Sequence, residues 1–63
     1  MNIIITWYDT ETGDQIDRVE TDLRRFVDEN PDEPAQYVIR EEIRQYGAYI
    51  TTTRGIRCEV AKR

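Results

Sequence analysis

The chemistry open to this 63-residue sequence is almost entirely that of carboxylates: it holds 13 aspartates and glutamates, one cysteine, no histidine and no serine. Without histidine or serine there is neither a serine triad nor an imidazole acid or base. No glycine-rich run leads into a lysine, so a phosphate-cradling loop is missing as well. Adjacent carboxylates do occur, at Asp28–Glu29 and Glu41–Glu42, but neighbours on a helix point about 100° apart. Hydrolysis by a carboxylate pair needs the two groups facing one another across a cleft, and a two-layer domain of this length has little material to build one. The sequence predicts no enzyme.

Asp9, Glu11 and Asp14 crowd around Gly13 in the manner of a calcium loop. Counted from Asp9, however, Gly13 falls at position 5, Asp14 at position 6 and Glu20 at position 12, whereas such a loop needs an oxygen ligand at the fifth place and glycine at the sixth. The register fails, and no metal site and no cofactor are expected. The lone Cys58 alternates with Ile56 and Val60, which marks a small core residue rather than a reactive thiol, since no histidine is present to lower its pKa.

Binding is what remains, and the charges are arranged for it. Residues 9 to 42 carry twelve of the acids against Arg18, Arg24, Arg25 and Arg40, a local charge of −8, while residues 43 to 63 carry +4. Clustered carboxylates attract proteins with basic grooves and speed their encounter. A protein that handles nucleic acid commonly owns such a groove, and an acidic domain can occupy it by presenting carboxylates where phosphates would lie. The candidate partner-binding residues are Asp17, Glu20, Asp28, Glu29, Asp32 and Glu33, with Tyr37 as an aromatic anchor. The competing reading is a solvated face on which Arg18, Arg24 and Arg25 pair with acids one helical turn away and blunt the field.

The basic C-terminal third suggests the opposite partner. Tyr49, Arg54, Arg57 and Lys62 would form a sheet surface for single-stranded nucleic acid, aromatic rings stacking bases and cations holding phosphates. A structural homodimer is the third expectation, because a chain this short buries only about 60% of its unfolded surface and lacks the disulfide or zinc that staples many small domains. In size and charge the sequence is of a type with phage-encoded antagonists of host defence nucleases, anti-CRISPR proteins among them; no motif carries that analogy. The opening run "MNIIITWY" has no basic leader and no apolar segment near 20 residues, so a cytoplasmic protein with no membrane partner is expected.

The elements that must position these residues follow from pattern and punctuation. "NIIITWY" is β-branched and aromatic on both faces, which predicts a central strand. "DTETGD" then supplies a hairpin turn, with Asp9 bonding the turn backbone and Gly13 at positive φ, and "QIDRV" returns as a second strand. A rival reading makes Ile16, Val19, Leu23, Phe26 and Val27 one helical stripe. On the hairpin reading, a short helix runs from Leu23 to Glu29 behind a cap at Thr21 or Asp22. "NPDEP" punctuates the chain, with Pro34 at the first helical position behind an Asp32 or Glu33 cap. A second helix carries Ala35, Val38, Ile39, Ile43 and Tyr46 on one stripe and stops at Gly47. "AYITTT" and "IRCEVAK" alternate about "RG" as a second hairpin. Trp7 and Phe26 are assigned to the core. The predicted order is ββααββ, with βααββ as the alternative: one α+β domain over residues 1–63, an antiparallel sheet with both helices on one face.

Overall fold

The computed structural model describes all residues, Met1–Arg63. Its elements are β1 (Asn2–Asp9), β2 (Gln15–Asp22), α1 (Leu23–Glu29), α2 (Gln36–Tyr46), β3 (Tyr49–Thr53) and β4 (Ile56–Lys62). The four strands form one antiparallel sheet in the order β2-β1-β4-β3. The expected ββααββ architecture is the one observed, and the long-helix alternative is not. β1 is central, as its two apolar faces require, and the edges are β2 and β3.

Local chemistry explains the boundaries. The first hairpin is closed by Asp9, whose carboxylate accepts the backbone N–H groups of Glu11 (2.8 Å) and Thr12 (3.2 Å), and by Gly13, at φ +79°. That left-handed conformation costs a glycine little and any β-branched residue more. β2 passes directly into α1, where Asp22 caps the helix by accepting the Arg24 N–H at 2.9 Å. That bond holds the Asp22 carboxyl below its ordinary pKa. The second hairpin turns on Arg54 and Gly55, both at positive φ, the geometry that lets two residues join twisted strands.

The cap of α2 differs from expectation. Pro34 is not the first helical residue: Ala35 stays extended (φ −60°, ψ 156°), the helix starts at Gln36, and no side chain caps it. Glu33 is otherwise engaged, as its carboxylate accepts the Tyr49 hydroxyl at 2.7 Å. The far end of α2 stops at Gly47, φ +86°, whose N–H reaches the Ile43 carbonyl.

The core lies between the helices and one sheet face and comprises Ile3, Ile5, Leu23, Phe26, Ile39, Ile43, Cys58 and Val60. Five expected core positions stand outside it: Trp7, Ala35, Val38, Tyr46 and Ile56. Tyr46 is 72% exposed and Ile56 42%, the first on the last turn of α2 and the second at the far end of β4. Trp7 is only half-buried against the core. For Trp7 and Ile56 the reason is reach: seven helical residues span about 10 Å, whereas the eight residues of β1 span about 26 Å.

Candidate functional site

Both hairpin turns and the α1–α2 connection lie at the same end of the molecule. β1 and β4 are antiparallel neighbours with Asp9 opposite Ile56, so the two turns meet, and Thr10 binds the Gly55 carbonyl through both its N–H and its hydroxyl. α1 leaves the opposite end and runs back towards the turns, delivering residues 30–35 there.

At this turn end the helices fall short and the sheet is left uncovered. Two adjoining hollows result, of about 440 and 330 Å³, and both are floored by Trp7 and Phe26 and bordered by Asn30. Ile5 and Val19 extend the floor of one, Ile56 and Cys58 that of the other. The hollows therefore flank one half-buried indole. Asp17 stands directly across from Trp7 on β2, on the same sheet face, and Glu29 and Glu33 stand on the rims.

Ion pairing divides the thirteen carboxylates into two classes. Glu20, Asp22, Asp28, Glu29, Glu41 and Glu59 each have a cation within salt-bridge distance: Glu20 lies 3.3 Å from Arg18 and 2.7 Å from Arg63, and Glu29 lies 2.7 Å from Arg25. Asp9, Glu11, Asp14, Asp17, Asp32, Glu33 and Glu42 have none. All but Glu42, on the outer face of α2, belong to the turn end. Arg54 is the one cation at that end without a carboxylate partner. Cations without partners at the opposite end, Arg40 and Lys62, border a separate hollow with Arg44.

The sequence-predicted acidic residues are thus only partly united. Asp17, Asp32 and Glu33 belong to the turn end and carry uncompensated charge. Asp28 and Glu29 are neutralised on α1 by Arg24 and Arg25 at i,i+4, as the competing reading foresaw for those arginines. Glu20 projects from the other sheet face, opposite Ile4. Tyr37 is 76% exposed on the outer side of α2. Asp14 belongs with the united set.

The alternative basic surface is dispersed. Tyr49 and Lys62 lie on the helix side of the sheet, Arg54 lies in the turn, and Arg57 lies on the opposite face. There its guanidinium sits 4.8 Å above the Tyr8 ring and 2.8 Å from Glu59. The Tyr49 hydroxyl is committed to Glu33. Burial, reinforced by that carboxylate, pushes its pKa up to about 12. Burial likewise pushes the Cys58 thiol up to about 11, with Glu33 and Glu59 adding to it, so the thiol is inert at neutral pH.

Sequence reasoning missed the exposure of Trp7. The signal was present in the brevity of the Leu23–Glu29 helix beside an eight-residue strand. No family model matches the chain, and neither does any curated protein or solved structure. No helix is long and apolar enough to cross a membrane.

Proposed function

We propose that this is a small non-enzymatic binding protein whose acidic turn end occupies a basic surface of a nucleic-acid-handling protein. The observation that supports this reading is that Asp14, Asp17, Asp32 and Glu33, none with a cationic partner, belong to the same end of the molecule as the half-buried Trp7, with Asp17 directly across from it and Glu33 on the rim of one hollow. Carboxylates left to solvent steer a cationic partner, and the half-buried Trp7 supplies apolar area that a contact would bury once docked. This division of labour fits an inhibitor or adaptor in the cytoplasm, of the kind that phage-type antagonists such as anti-CRISPR proteins represent by analogy of size and charge.

The test is capture of partners from nuclease-treated lysate on the tagged protein, followed by competition with an oligonucleotide. The expected result is a basic nucleic-acid-handling protein that is released by salt and displaced by the oligonucleotide. Partners indifferent to both salt and oligonucleotide would overturn the reading.

A further inference from the structure

The two edges of the sheet are built differently. In β2 the side chains of Asp17, Arg18, Glu20 and Asp22 bring four charges to the edge, the register is broken by a bulge opposite Trp7 and Tyr8, and the Arg18 N–H is taken by the Asp17 carboxylate at 2.8 Å. These are the devices by which an edge strand avoids pairing with another chain. β3, "YITTT", has none of them: no charge, no proline, no bulge.

The hydrogen-bonding direction of each β3 residue follows from the register. The two-residue Arg54–Gly55 turn makes Thr53 and Ile56 a bonded pair, so Tyr49, Thr51 and Thr53 direct their backbone groups to β4. The Thr10 N–H bond to the Gly55 carbonyl confirms the parity, because it places alternate β4 residues towards β1. Ile50 and Thr52 therefore point their N–H and C=O groups outwards. Ile50 also leaves its side chain 54% exposed.

We infer that the protein associates as a two-fold dimer through β3, antiparallel edge to edge, with the axis at Thr51. In this register Ile50 of one copy faces Thr52 of the other, and all the outward backbone groups of both residues are satisfied in both copies. Thr51 faces its own symmetry mate as a non-bonded pair, and Tyr49 faces Thr53. β-branched and threonine cross-strand pairs favour such a ladder, and no like charges meet within it. The longer-range field agrees. An antiparallel arrangement sets the acidic turn end of each copy beside the partner's opposite end, which bears Arg40, Arg44 and Lys62, and holds the two acidic ends apart. The dimer also covers an edge of a domain whose core is eight residues. It does not depend on the partner proposed for the acidic end, since it is built from the outward backbone groups of Ile50 and Thr52 and uses neither Trp7 nor the unpaired acids.

Sedimentation velocity across the micromolar to millimolar range tests the association. The expected mass rises to twice the 7.5 kDa of the chain. Thr52→Pro deletes an outward N–H that β4 does not use and blocks a pairing strand, so it is expected to stay monomeric with an unchanged circular dichroism spectrum. The register has its own test. Facing non-bonded residues have Cα atoms about 4.5 Å apart, within disulfide range, so in a Cys58→Ala background, needed because Cys58 stands opposite Thr51 on β4, Thr51→Cys is expected to give an oxidised dimer and Thr53→Cys, which faces Tyr49, is not. A wild-type mass of one chain at every concentration would overturn the inference. A dimer that survives Thr52→Pro, or no cross-link through Thr51→Cys, would do the same.

Discussion

The two ends of this molecule solve different problems. At the end where β1 begins, Ile3, Leu23 and Val60 are fully buried, Ile43 nearly so, and the carboxylates Glu20 and Asp22 are held by cations. At the turn end Trp7 is half-buried, Ile56 is open, and six carboxylates stand without cationic partners. One end holds the fold together, and the other is left with apolar area and with charge that no cation compensates, even where Asp9 and Glu33 accept hydrogen bonds that shape the turns. Residues whose burial and charge contribute little to stability are where a small domain has room for a binding surface.

Substitutions should separate the two ends. The largest effect on stability is expected for Leu23→Ala at the closed end, about 2–5 kcal/mol, because a fully buried side chain leaves a cavity; urea denaturation measures it. Trp7→Ala should cost clearly less in the same experiment while abolishing partner binding. Equal losses of stability at the two positions would erase the distinction between the ends.

A smaller effect is expected at the first turn. A β-carbon on Gly13 would meet no atom within 4 Å, so Gly13→Val tests backbone conformation alone and should cost about 1–2 kcal/mol. An unchanged melting temperature would show that the left-handed position is not required.

A pH dependence is expected on both sides of neutrality: in acid the stability from the lowered Asp22 carboxyl is lost as pH falls through its folded pKa, and in alkali burial of two groups acts. Tyr49 and Cys58 both have folded-state pKa values raised by burial, to about 12 and about 11. Their contribution to stability is complete below the unfolded values of 10.0 and 9.0 and disappears as pH rises through the folded ones, because the unfolded chain releases its protons first. Thermal melts should be level from neutral pH to about pH 9 and fall from there to about pH 12. Tyr49→Phe should remove the upper part of that fall and loosen the loop carrying Asp32 and Glu33, since it deletes the 2.7 Å bond that ties Glu33 to β3.

Most of the fold was legible because its signals are local. Asp9 and Gly13 specify one turn, Thr21 and Asp22 offer a cap that the structure assigns to Asp22, and the β-branched run through Ile3, Ile4 and Ile5 specifies a strand whatever surrounds it. The start of α2 was not legible, because Glu33 could be given to a helix cap or to Tyr49, and only the packed sheet brings that hydroxyl within reach. The acidic surface was legible as composition but not as a site. Asp28 and Glu29 look equivalent to Asp32 and Glu33 along the chain. They differ because a helix places Arg24 and Arg25 one turn before the first pair, whereas the connection that follows brings no cation to the second. Arg57 looked available for nucleic acid, yet strand alternation sends it to the opposite face from Tyr49 and onto Tyr8.

That difference between paired and unpaired acids allows the most direct test of the central claim. Partner affinity should be measured for Asp14→Lys/Asp17→Lys/Asp32→Lys and for Asp28→Lys/Glu29→Lys, with folding of both verified by circular dichroism. Reversal at the turn end is predicted to weaken binding by on the order of 100-fold at low salt, and reversal on α1 by only a few-fold. Equal losses, or a larger loss from the α1 pair, would contradict the account.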